Sequence, residues 1–108
     1  MRRQLTQDRM EDAIEHLSST DELAADAKTE VEREDYRRDA IKDAIFLRSD
    51  GSVAERNAIS KTHPEYAAAC EKYFNALQKF ERMKNKRSTE AIVVEAWRSV
   101  NSNRRQGQ

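Results

Sequence analysis

Residues 64–101, PEYAAACEKYFNALQKFERMKNKRSTEAIVVEAWRSVN, hold no glycine and no proline beyond the first position. Along them runs the series Tyr66, Cys70, Tyr73, Leu77, Phe80, Lys84, Arg87, Ala91, Val94 and Trp97, in steps that alternate between three and four. That is a heptad pattern, the spacing of a helix packed along a partner at a shallow crossing angle. Pro64 followed by Glu65 suits the first helical turn, where a missing N–H costs nothing and an acid favours the dipole.

The partner should lie upstream of the turn formers Ser49-Asp50-Gly51, where Gly51 fits a left-handed helix cap. Before them Ala24, Ala27, Val31, Ile41, Ala44, Ile45 and Leu47 fall near one face, interrupted by Glu34, Arg37 and Arg38. Lys42 and Arg48 near its end favour the helix dipole. Ser19 and Glu22 have capping-box spacing, which predicts a helix over 20–49. A separate short helix over 5–17 is expected from Leu5, Met10, Ile14 and Leu17, closed by Ser18-Ser19-Thr20. Ser52 and Glu55 repeat the capping-box spacing and predict a helix over 52–61 that carries Val53, Ala54 and Ile59.

The expected fold is therefore all-α: one helical domain over 1–101, built on a long antiparallel hairpin of 20–49 and 64–101, followed by a disordered basic tail over 102–108. With two glycines and one proline in 108 residues, the chain lacks the turns that several short strands need. Phe74, Ile92 and Val93 lie off the hairpin stripe. Either the first helix folds back to make a three-helix monomer, or two hairpins pair as a dimer. With 37% apolar residues the core is thin, which favours a homodimer.

No stretch approaches eighteen apolar residues, and Met1-Arg2-Arg3-Gln4 lacks the apolar run of a signal peptide, so a cytoplasmic protein without membrane contact is expected. The lone Cys70 sits among alanines and reads as a small hydrophobe. His16 and His63 are the only imidazoles, and neither has a metal-ligand spacing. Phosphate-loop, nucleophile-elbow and Cys-x-x-Cys patterns are all absent. The expectation is a protein with no catalytic residue, no metal, no cofactor and no small-molecule substrate.

Zero net charge hides an asymmetry: residues 1–51 carry nine Lys/Arg against fourteen Asp/Glu, and residues 52–108 carry eleven against six. The acids Glu30, Glu32, Glu34, Asp35 and Asp39 lie three or four residues from Arg33, Arg37, Arg38 and Lys42, the spacing of helical ion pairs on a solvated face. The best functional candidate is the basic run Lys79, Arg82, Lys84, Lys86 and Arg87. With Trp97, Arg98, Arg104 and Arg105 it could offer charge and stacking to single-stranded nucleic acid. The competing reading has these bases facing the acidic arm across the hairpin, and Trp97 plugging its open end.

At Asp43-Ala44-Ile45-Phe46-Leu47-Arg48-Ser49-Asp50-Gly51-Ser52-Val53-Ala54-Glu55-Arg56, and again from Asn85 through Glu90-Ala91-Ile92-Val93-Val94 to Trp97-Arg98-Ser99, the chain resembles small uncharacterised proteins of tailed bacteriophages and prophages. Genes of that group tend to lie near recombination or replication functions. The resemblance implies a viral accessory role inside a bacterial host and supplies no catalytic residue. The expected function is a non-enzymatic accessory protein in DNA recombination or replication, binding a protein partner, single-stranded DNA, or both. The alternatives are an inhibitor or adaptor docked on a host protein without touching DNA, and a structural assembly protein.

Overall fold

Three helices make up the described residues: α1 (Gln7–Arg48), α2 (Val53–Thr62) and α3 (Pro64–Gln106), with no strand. The computed structural model describes the backbone of residues 5–106 and the side chains of residues 5–103.

α1 starts where Thr6 Oγ1 accepts from the Arg9 N–H at 3.1 Å, so Leu5 lies ahead of the helix. It then runs without a break through Ser18-Ser19-Thr20, and the two helices expected over 5–17 and 20–49 are one. The Ser19 and Thr20 hydroxyls donate to the His16 carbonyl, at 3.3 and 2.6 Å. Hydroxyls bonded back to the preceding turn leave the helical ladder intact, whereas a cap needs them turned toward free N–H groups.

The turn matches its sequence signals. Gly51 has φ +114°, a region side chains rarely adopt, and a Cβ there would lie 2.8 Å from Glu55 Oε2. Ser52 caps α2: its Oγ accepts from the Glu55 N–H at 3.2 Å and donates to Glu55 Oε1 at 3.1 Å. Pro64 opens α3, and His63 Nδ1 accepts from the Glu65 N–H at 3.1 Å, serving as its cap. Residues 102–106 of the expected disordered tail continue α3, because nothing before Gly107 stops a helix and each added residue gains a backbone bond. Gly107 and Gln108 lie outside the described residues.

The chain divides into two compact units, Met1–Ala24 with Glu81–Gln108, and Ala25–Phe80. In the first, α1 and α3 segments run antiparallel: Arg9 meets Glu90, while Arg87 reaches the Leu17 carbonyl at 2.8 Å and Thr20 Oγ1 at 2.6 Å. Ala13, fully buried, and Glu90, 2% exposed, mark its centre.

In the second unit the same antiparallel sense is shown by the Arg38 guanidinium, 3.8 Å from the centre of the Tyr73 ring, and by Lys42 over Tyr66. Arg48 pairs with Glu65 at 3.1 Å near the turn. α2 is tied to α1 through Arg56, whose Nε donates to the Phe46 carbonyl at 3.0 Å and whose guanidinium lies over the Phe46 ring. Ile45, Ser60 and Ala69 are buried here.

The inward row of α3 differs from the expected one at alternate positions. Tyr66, Tyr73, Phe80, Arg87 and Val94 face the seam, but their companions are Ala69, Ala76, Met83 and Glu90, and Lys84 and Ala91 are exposed. Two rows separated by one residue both satisfy the three-four alternation, and the direction of approach of α1 selects between them. Leu77, Phe80 and Val94 are half-buried. Among the described residues four hydrophobic ones are buried, Ala13, Ala27, Ile45 and Ala69.

Candidate nucleic-acid interface

Glu34 shows how the acidic arm is satisfied. It is 6% exposed, and Arg37 Nη1 donates to its Oε1 at 2.6 Å, while Oε2 is buried with no partner. Arg33 pairs with Glu30 and Arg38 with Asp35, each three residues apart on α1. These helical pairs follow the expected spacing, although Glu34 lies in the seam and not on a solvated face. Thus Glu30, Glu34 and Asp35 are matched by bases of their own helix and not by the 79–87 run.

The bases of that run divide by role. Arg87 is half-buried: besides its two bonds to Leu17 and Thr20, Nη2 pairs with Asp21 Oδ1 at 3.2 Å. Lys86 Nζ donates to Glu90 Oε1 at 2.6 Å. Arg9 grips the same carboxylate with both terminal nitrogens, at 2.6 and 3.0 Å. These hydrogen bonds, Arg9 first and Lys86 second, hold the Glu90 carboxyl down at about 2 against the burial that would raise it. Arg87 and the Arg9–Glu90 pair therefore join α1 to α3, while Lys86 braces Glu90 from within α3.

Lys79, Arg82 and Lys84 are exposed, and among the described residues none of them takes part in an ion pair. They do not share a face. Lys79 and Lys86 each precede a seam residue by one, and Arg82 lies three after Lys79, so all three fall on one flank of α3. Lys84 and Arg98 each follow a seam residue and fall on the opposite flank. Arg98 is occupied with Glu95 at 3.0 Å, an exposed pair. The side chains of Arg104 and Arg105 lie outside the described ones.

Lys72 joins the first flank, seven residues before Lys79, and is exposed and unpaired among the described residues. Reading the basic run as one block of sequence hid it; the seven-residue step was the available signal.

Trp97 is half-buried and, with Met10, Ile14 and Val94, lines an open groove of about 410 Å³ in the first unit. Its side chain is neither enclosed nor fully exposed. Among the described residues no cluster of three His, Cys, Asp or Glu is placed to hold a metal ion, and no helix is long and apolar enough to cross a membrane. Comparison of the chain with models of protein families, with curated proteins and with solved structures finds no match.

Proposed function

We propose that the chain is a non-enzymatic accessory protein of the phage type, acting in DNA recombination or replication, and that it binds single-stranded nucleic acid through exposed bases of α3, Lys72 and Lys79 in one unit and Arg82 in the other. The observation that carries this reading is the exposure of Lys72, Lys79 and Arg82 without acidic partners among the described residues, while Lys86 and Arg87 of the same helix are already bonded to Glu90 and Asp21. Phosphates gain most from cations that give up no existing ion pair, and binding there releases condensed counterions.

Affinity for a labelled oligonucleotide is expected to fall with salt at a logarithmic slope of about −0.7 per phosphate, near −2 for contacts at Lys72, Lys79 and Arg82. Lys79→Glu with Arg82→Glu should flatten that slope by about two thirds. Lys84→Glu, on the other flank, should leave it nearly unchanged. Absence of binding to any single or double strand at low salt would end this reading. The adaptor reading would then stand in its place, favoured by the groove beside Trp97.

The thin core supports self-association. In the 25–80 unit Leu47, Val53 and Phe74 are 75%, 65% and 53% exposed. Pairing of two copies through these side chains predicts a dimer in sedimentation equilibrium at micromolar concentration, and a monomer for Phe74→Glu. A monomeric wild type would show that this apolar surface stays open.

A further inference from the structure

One residue, His63, separates α2 from α3, closing the one and capping the other. Its backbone is extended, at φ −70° and ψ 137°, as a helix cap requires. The Ala67 N–H donates to its carbonyl at 3.0 Å, the first helical bond of α3. Pro64 has no N–H, so only Glu65 and Tyr66 carry donors ahead of that bond, and the Glu65 N–H donates to His63 Nδ1 at 3.1 Å. A ring nitrogen that accepts carries no hydrogen. In the neutral ring the hydrogen therefore sits on Nε2, which lies 3.5 Å from Arg48 Nη2. Both of those nitrogens are then donors, so this contact with α1 is not a hydrogen bond. Arg48 is held instead by the Glu65 carboxylate, at 3.1 Å.

We propose that His63 is a pH-sensitive clasp between α2 and α3, closed while its imidazole is neutral and opened when Nδ1 takes a proton. The added proton occupies the lone pair that the Glu65 N–H uses, so two donors face each other and the cap is lost. The charged groups around the ring do not compensate. Arg48 of α1 repels an imidazolium and Glu65 of α3 attracts it, and these two already neutralise each other as an exposed pair. Lys61, in the last turn of α2, adds positive charge. The end of α2 favours a cation and the start of α3 disfavours one, so the helix dipoles oppose each other at this residue. What remains is the lost cap, worth about a fivefold change in the opening of the first turn of α3. That contribution is present at neutral pH and disappears on acidification, the reverse of a histidine held by an acid. It does not depend on nucleic-acid binding, and it acts far above the pH at which Glu90 takes up its proton.

Amide exchange with solvent, measured residue by residue by NMR and corrected for the intrinsic effect of pH, reports on the clasp at the Glu65 N–H. Between about pH 7.5 and 5.5, where imidazoles gain their proton, protection of this amide in the wild type should fall about fivefold. His63→Asn keeps an oxygen acceptor that takes no proton in this range, and its protection should stay high at both ends. His63→Ala has no acceptor and should be low at both ends. His16, the other imidazole, is common to all three proteins. The ring nitrogen shifts of His63 should show hydrogen on Nε2 alone at the upper end of the range. Wild-type protection that does not change, or a His63→Asn protein that loses protection as the wild type does, would overturn the proposal. So would a neutral ring with its hydrogen on Nδ1. Protection that rises on acidification would overturn it too, because the imidazolium would then be holding the Glu65 carboxylate.

Discussion

Ile45→Ala is expected to destabilise the protein by about 2–5 kcal/mol, a large part of the roughly 5–15 kcal/mol typical of a whole domain. Ile45 is 1% exposed, the largest hydrophobic side chain enclosed so completely among the described residues, where the other buried hydrophobic residues are alanines. With so few large side chains inside, the cavity left by truncation has little around it that can collapse inward. Urea unfolding followed by circular dichroism measures the loss. Leu47→Ala, two residues along the same helix at a side chain 75% exposed, should change stability by no more than about 0.5 kcal/mol. If the two variants unfold alike, the core lies elsewhere on α1.

Replacing Glu90 by Gln should have the largest electrostatic effect. One carboxylate accepts from Arg9 twice and from Lys86 once while 2% exposed, so its removal leaves two cations facing a neutral amide inside the helix pair. The pH dependence follows from the direction of its shift. Its folded value, about 2, lies below the ordinary value of 4.5, so folding favours the carboxylate. That contribution is complete above pH 4.5 and is lost as pH falls toward 2. Melting temperatures of wild type and Glu90→Gln should differ most at neutral pH and converge across that window. The remaining carboxylates are common to both proteins, so the difference isolates Glu90. Parallel curves would mean that Arg9 and Lys86 contribute nothing through this residue.

The Glu90 cluster also shows where reading along the chain reaches its limit. Periodicity placed a helix over 64–101 and a reversal at Asp50-Gly51, because both depend on local chemistry: three-four spacing, a glycine able to take φ +114°, a serine able to cap and a proline in a first turn. Ser18-Ser19-Thr20 misled, since the same hydroxyls that cap a helix can instead bond back to the His16 carbonyl. On hydroxyl chemistry alone the two outcomes are close. What favours continuity here is packing on both sides of the serines, where Ala13 is buried and Thr20 takes the Arg87 guanidinium.

Candidate bases were legible as residue types and illegible as roles. Nothing local to Lys84, Lys86 and Arg87 says that the first is exposed and unpaired, the second bonded to Glu90 and the third driven between Leu17, Thr20 and Asp21. Those assignments depend on which of two adjacent rows of α3 faces α1, and rows one residue apart carry nearly the same periodicity. By itself the sequence determined the helical class, the position of the turn and the supply of charge. Only the tertiary structure decided which charges are consumed in holding the helices and which remain free, because a partner 70 residues away is brought within 3 Å by packing and not by any property of the intervening chain.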